Sequence, residues 1–192
     1  MEWVNGTIYS SSDGGIYKSI NRGGDWTDLS SGLGIRQFYR ISCAKTDANV
    51  IVTGAQDNGS SFRRSTGAWV DWLGADGMDN VISPTNAAVS IGTSQYGSIY
   101  KTTNSGGSYS GLTRPNTGNW VTPLVGHPTS ADTIWGGWTG VFRSSNGGTS
   151  WTNIASGVIT VTVDVLEVSK ANTRYIWATK GTTIYRTTNG GS

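Results

Sequence analysis

Apolar and polar positions alternate along this chain in short runs, each cut off by a turn signal. Between residues 79 and 112 the runs cover 79–83, 88–93, 98–103 and 108–112, separated by Pro84-Thr85-Asn86 and by Gly-, Ser- and Asn-rich breaks. The run 88–93, Ala-Val-Ser-Ile-Gly-Thr, has the period of two that puts one face of a strand in a core and the other in water. The same succession follows over 120–125, 132–136, 140–144 and 150–154. The breaks after the first run of each set also correspond: Pro84-Thr85, Pro128-Thr129 and, more loosely, Lys45-Thr46 and Lys170-Ala171. The pattern predicts units of four strands joined by tight turns.

A short phrase recurs at the same phase of each unit. The aromatic that opens it stands at Tyr17, Phe62, Tyr100, Phe142 and Tyr185, so successive copies are 45, 38, 42 and 43 residues apart. A period in the low forties filled with strands marks a β-propeller, one four-stranded blade per repeat. The expectation is an all-β propeller of antiparallel blades, about four and a half of them present. The blades are assigned to 3–33 (partial), 35–74, 76–113, 118–157 and 159–192 (partial). Taken to begin in a second strand at 5–9, the first blade has three strands. The last, ending in turn 189–191, also has three. Eighteen strands in an open arc leave faces and edges bare, which proteins avoid. The expectation is therefore an excerpt of a propeller of seven or more blades, the alternative being a short chain that completes its ring with another copy.

Composition narrows the classes. Nine Trp and eight Tyr with only 14% charged residues describe a globular β protein, and 28 Gly suit frequent sharp turns. The net charge of +2 is dispersed, with Arg63-Arg64 the single adjacent basic pair, so a nucleic-acid partner is not expected. Cys43 has no partner for an internal disulfide and sits in a strand pattern, which predicts a buried, inert thiol. His127, in Gly-His-Pro-Thr, lacks neighbours at metal-ligand spacing and reads as a turn residue. No apolar run approaches the roughly 20 residues of a membrane span, and the start of this chain does not read as a signal peptide. Neither a metal nor a cofactor is expected.

The repeated phrase has the form Ser/Thr-x-Asn-x-Gly-x-x-Trp/Tyr. Copies carry Ser19, Asn21, Gly23 and Trp26; Thr102, Asn104, Gly106 and Tyr109; and, read with one position slipped, Ser144, Asn146, Gly148 and Trp151. A further copy has Thr187, Asn189 and Gly191, and a degraded one ends at Trp69. In such a turn the Asn accepts backbone N–H groups, the hydroxyl closes the hairpin, and glycine takes the positive φ. The aromatic is expected to fold into the blade-to-blade core. The phrase resembles the Asp-box, or bacterial neuraminidase repeat, and the resemblance runs over essentially the whole chain. It implies the scaffold of sortilin-type receptor domains, xyloglucan-cleaving glycoside hydrolases and photosystem II assembly factors. The nearest likeness is to exported propeller proteins of gliding, polysaccharide-degrading bacteria, carried by Gly-Ala-Gln-Asp-Asn-Gly at 54–59, Gly-Ala-Asp-Gly-Met at 74–78 and the turn at 82–86. That likeness implies an extracellular or cell-surface location, commonly reached by type IX secretion. Every copy here has Asn where the family is named for Asp, and a neutral amide is a poorer cation ligand.

In a propeller the loops from second to third strand and from blade to blade open on the face opposite the repeated turns, where ligands enter by fold-level analogy. These loops include 11–13, 34–37 and the segments carrying Gln56, Asp57, Asn58, Asp76, Asp79, Tyr96, Arg114, Trp120 and Trp138. Aromatic rings suit sugar faces, and carboxylates suit hydroxyls or acid/base work. Turn formation and interblade packing compete for the same residues. The reading is a module that binds a glycan or a protein through this face, the remaining blades coming from the same or another chain. Its first alternative is a fragment of a xyloglucanase-type glycoside hydrolase, with Asp57 paired to Asp76 or Asp79 about 5 to 10 Å away. The test between them is whether both carboxylates face one groove free of backbone hydrogen bonds. Self-assembly into a ring is the second alternative. Sialidase chemistry is disfavoured because Glu2 and Glu167 are the only glutamates and no Arg-Ile-Pro signature occurs. With one histidine in the chain, a serine or cysteine hydrolase is weaker still.

Overall fold

The structure, a computed structural model, describes residues 1–12, 15–32 and 36–191. Five antiparallel sheets follow one another along the chain, each a simple meander. The first contains β1 (Glu2–Val4), β2 (Thr7–Ser12), β3 (Gly15–Ser19) and β4 (Thr27–Asp28). The second contains β5 (Phe38–Cys43), β6 (Ile51–Ala55), β7 (Gly59–Arg63) and β8 (Trp69–Leu73). The third contains β9 (Gly77–Ile82), β10 (Ser90–Ser94), β11 (Ile99–Thr102) and β12 (Ser110–Leu112), with a 3-10 turn (Gln95–Gly97) between β10 and β11. The fourth contains β13 (Leu124–Gly126), β14 (Ile134–Trp138), β15 (Gly140–Ser144) and β16 (Thr152–Asn153). The fifth contains β17 (Val165–Val168), β18 (Ile176–Lys180) and β19 (Thr183–Thr187). These sheets are the expected propeller blades. No helix among the described residues is long and apolar enough to cross a membrane.

Three expectations need correction. The first sheet has four strands, because Asn5 and Gly6, at φ 47° and 81°, make a two-residue hairpin that folds β1 onto β2. Two successive positive φ angles give the turn whose twist matches a hairpin, and Asn-Gly is its preferred sequence. Cys43 is exposed, since it lies on β5, a strand left largely uncovered. The first strand of the fourth sheet begins at Leu124 rather than at residue 120. There the Thr122 hydroxyl donates to the Asn119 carbonyl in a turn, and Pro123, with no N–H, follows it.

The core is divided into slabs between consecutive sheets. Val50, Val52, Phe62 and Trp72 pack with Ile82 and Tyr100 between the second and third. Ile91 and Ile99 meet Leu124, Trp138 and Phe142 between the third and fourth. Trp135 and Val141 meet Leu166, Val168, Ile176 and Ala178 between the fourth and fifth. Alternation along the third strand of a sheet explains this. Phe142 looks back to the third sheet while its neighbour Val141 looks forward to the fifth. Among the described residues, none from the first sheet belongs to these clusters.

Candidate functional site

The repeated phrase builds the same turn four times. Its hydroxyl oxygen accepts the N–H of the glycine four residues on: Gly23 on Ser19 at 2.8 Å, Gly106 on Thr102 at 3.1 Å, Gly148 on Ser144 at 2.9 Å and Gly191 on Thr187 at 3.2 Å. Each hydroxyl donates in turn to the Asn Oδ1, at 2.7 to 3.1 Å. The Asn Nδ2 then reaches the side chain four positions on, Asp25 from Asn21, Ser108 from Asn104 and Ser150 from Asn146. An aspartate could not make that donation. The third copy is not slipped, for Gly148 occupies the same place as Gly23 and Gly106. The residue before that glycine is left-handed in every case, with φ of 59° at Arg22, 57° at Ser105 and 66° at Gly147. The hydroxyl and the Asn side-chain oxygen of the phrase are both engaged in making these turns. His127 likewise serves its turn, its Nδ1 accepting the N–H groups of Thr129 and Ser130.

The opposite ends of the sheets gather a different set. Asp57, exposed and left-handed at φ 56°, donates its backbone N–H to Asp76 Oδ1 at 2.8 Å. The other Asp76 oxygen accepts from Gln95 Nε2 at 3.1 Å. Tyr96, at φ 60° and 49% exposed, sets its ring edge-on to Trp120, centroids 5.2 Å apart. Its backbone is clamped by the Trp120 carbonyl, the Gly118 N–H and the Arg114 guanidinium, which donates to the Tyr96 carbonyl at 2.9 Å. Asn58 Nδ2 turns inward onto the Gln56 carbonyl.

Sequence reasoning missed Tyr39, which joins these loops. Its hydroxyl donates to Gln56 Oε1 at 2.5 Å and accepts from Trp120 Nε1 at 3.3 Å. β5 pairs with β6 through Phe38↔Ala55 and Arg40↔Gly54, so Tyr39 is the extra residue of a bulge. A bulge re-aims a side chain out of the strand's alternation. The available signal was its place, second residue of an innermost strand directly after a blade-to-blade loop. Asn119 and Asp164 were also missed, and they carry the hydrogen bonding on to the fifth sheet. Asp164 accepts from Asn119 Nδ2, Lys180 Nζ and the Gly181 N–H, and the Gly181 and Lys180 bonds hold its carboxyl below the usual range.

Two candidate residues belong elsewhere. Trp138, expected as a ligand platform, is 0% exposed. It ends β14 pointing into the slab between the third and fourth sheets, with Nε1 donating to the Gly97 carbonyl at 3.0 Å. A Cβ on Gly97 or Gly136 would run into its indole, so these glycines make the room it fills. Asp79 is likewise not in an open loop. It lies in a bulge of β9, where Oδ2 accepts the Leu124 N–H and Oδ1 the Asn80 N–H, both at 2.9 Å. The carboxylate ties β9 to β13, and burial pushes its pKa up against the lowering effect of those two bonds. Asp13, Gly34 and Ile35, which fall in two of the loops expected on this face, lie outside the described residues.

The face therefore offers an exposed tyrosine against a tryptophan, a phenol, several amides and the exposed Asp57. Of the three candidate carboxylates, Asp76 and Asp79 each have both oxygens bonded, including to backbone N–H groups. Among the described residues no cluster of His, Cys, Asp and Glu could hold a metal ion.

No protein-family model and no curated protein matches the sequence. Solved structures do match in fold. An ancestral GH74 enzyme superposes on 90% of this chain with a TM-score of 0.63 at 19% identity. The GH74 xyloglucanase from Xanthomonas campestris covers 82% with a TM-score of 0.66 at 16% identity, and the GH74 enzyme of Niastella koreensis covers 93% with 0.62 at 20%. The chain spans only 25%, 30% and 27% of those proteins respectively. At these identities the likeness is one of fold.

Proposed function

We propose that this chain is a binding module of an exported or cell-surface propeller and takes an oligosaccharide on the loop face. The carrying observation is the Tyr96–Trp120 pair, an exposed ring beside a half-buried one, with Tyr39 and Gln56 hydrogen-bonded next to it. Rings of this kind stack on the apolar faces of sugars, and amides and phenols bond their hydroxyls. The repeated turn, read as an Asp-box, is the scaffold that leaves this face free to vary.

Isothermal titration with xyloglucan and other β-glucan oligosaccharides tests it. Tyr96→Ala and Trp120→Ala should each weaken binding by at least about tenfold, as loss of a stacked ring does. Trp26→Ala, at the other end of its sheet, should leave it unchanged. Absence of binding to every glycan offered would overturn the glycan reading and leave a protein ligand.

A hydrolase fragment is the second reading, favoured by the GH74 fold and the exposed Asp57. With Asp76 and Asp79 engaged in hydrogen bonds, a glycosidase would draw its second carboxylate from outside this chain. Hydrolysis by the chain alone, abolished by Asp57→Asn, would contradict that division.

A further inference from the structure

The chain contains four Asn-Gly pairs, at 5–6, 58–59, 146–147 and 189–190. In such a pair the glycine nitrogen can reach the amide carbon of the asparagine side chain, because no Cβ on the glycine stands in the way. Asn5, Asn146 and Asn189 are exposed, and Asn58 is half-buried. All four glycines have positive φ, between 64° and 81°. Sequence, exposure and backbone therefore do not separate the pair at 5–6 from the pair at 146–147.

Hydrogen bonding does. In the repeated turn, Asn146 Oδ1 accepts the Ser144 hydroxyl at 3.0 Å and the Ser150 N–H at 2.9 Å, and Nδ2 donates to Ser150 Oγ at 2.8 Å. The Gly147 N–H, on the nitrogen that would attack, donates to the Asp132 carbonyl at 2.9 Å. The copy at 189–190 is held alike. Asn189 Oδ1 accepts from the Thr187 hydroxyl and the Gly191 N–H, and the Gly190 N–H donates to the Arg174 carbonyl at 2.9 Å. Asn58 Nδ2 is tied to the Gln56 carbonyl, and Gly59 is buried against the Leu73 carbonyl. At the tip of the first hairpin nothing comparable exists. Among the described residues neither the Asn5 amide nor the Gly6 N–H has a hydrogen-bond partner, and a Cβ on Gly6 would meet nothing within 4 Å.

We propose that Asn5 is a site of spontaneous deamidation, and that the repeated turn shields the Asn-Gly pair built into it. The Gly6 backbone nitrogen gives up its proton to base and bonds to the Asn5 side-chain carbonyl carbon. The bond to Nδ2 breaks, ammonia leaves with a proton from water, and a cyclic imide remains. Water then opens the imide at either carbonyl. Breaking the bond to the side-chain carbon leaves aspartate, and breaking the bond to the main-chain carbon leaves isoaspartate. Either product lowers the net charge of +2 by one. Asp-Gly suits the same hairpin turn, so the aspartate form keeps β1 on β2. The isoaspartate form carries an extra backbone carbon and loses the pairing of Val4 with Thr7.

Peptide mapping by mass spectrometry, on the folded chain held in mildly alkaline buffer, tests the proposal. Asn5 should convert at least about tenfold faster than Asn58, Asn146 or Asn189, which react only after their turns open. In concentrated urea all four should convert at similar rates. Ser144→Ala removes one bond to the Asn146 oxygen and should speed conversion there while circular dichroism shows the chain still folded. An Asn5 rate no higher than that of Asn146 in the folded chain would overturn the proposal. So would a gap that persists in urea, which would assign the difference to flanking residues, or an Asn146 rate unmoved by Ser144→Ala.

Discussion

The turn at 19–26 and the turn at 144–151 are chemically the same object in two different places. Each has the hydroxyl on the glycine N–H, the Asn oxygen on the N–H four residues on, and left-handed backbone at two successive positions. Around the second, a Cβ on Gly148 would stand 2.8 Å from Leu112 of the preceding sheet, and Trp151 packs on Trp138. Around the first, among the described residues a Cβ on Gly23 would meet only Trp26, at 3.8 Å, and Trp26 is 42% exposed. The turn at 102–109 resembles the interior case, since Gly106 abuts Trp72, Val70 and Phe62. The degraded copy at 64–69 closes by backbone bonds between Arg64 and Ala68 and between Gly67 and Arg64, and Trp69 is half exposed. The turn is thus local and autonomous. Its value to the core depends on having a sheet behind it.

Paired substitutions break the comparison where it is strongest. Trp151→Ala should cost about 3 kcal/mol, and Trp26→Ala less than about 1 kcal/mol, read from urea melts. Equal costs would mean that the indole contributes through its own turn rather than through the slab. Gly148→Ala adds a clash with Leu112 to the penalty for left-handed backbone, about 2 to 3 kcal/mol together, whereas Gly23→Ala pays the backbone penalty of about 1 kcal/mol alone. A third pair should invert the order. Asn21→Asp sets a carboxylate against Asp25, 2.7 Å from the amide it replaces, and should cost about 1 kcal/mol. Asn146→Asp faces the Ser150 hydroxyl, which can turn and donate, so its cost should stay within about 0.5 kcal/mol.

The smallest effect concerns Asp79, which ties the third sheet to the fourth. Its folded pKa is raised, so the folded state holds its proton to higher pH than the unfolded chain. Stability from this group is then greatest below the ordinary carboxylate value of about 4 and declines as pH rises towards the raised value. Asp71 runs the other way: the Arg36 hydrogen bond lowers its pKa, and its contribution is lost as pH falls. Subtracting the pH–stability curve of Asp79→Asn from that of the native chain should leave a difference that falls as pH rises above about 4. A flat difference would remove Asp79 as the source.

Much of the fold could be read from the residues because the repeat is written in local chemistry. Strand, hydroxyl, Asn, Gly and aromatic recur at one phase, and each enforces its own conformation over a few residues. The Asn5-Gly6 hairpin is written in the same local chemistry, since Asn-Gly favours two successive positive φ angles. The site was legible only in part. Asp57, Asp76, Tyr96 and Trp120 lie together because antiparallel meanders bring those loops to one end. Tyr39 and Asp79 depend on bulges, whose extra residue leaves no mark in the alternation.

The sequence by itself determined the turns, the strand succession and the existence of two unlike faces, since these follow from backbone preferences within a dozen residues. Only the tertiary structure decided which aromatics are core and which are surface. Trp138, Trp120 and Trp26 are the same side chain in comparable turn-rich contexts. One is sealed by Gly97 and Gly136, one leans on Tyr96, and one looks into water. Burial is a property of the neighbouring sheet, and that neighbour is some forty residues away in the chain.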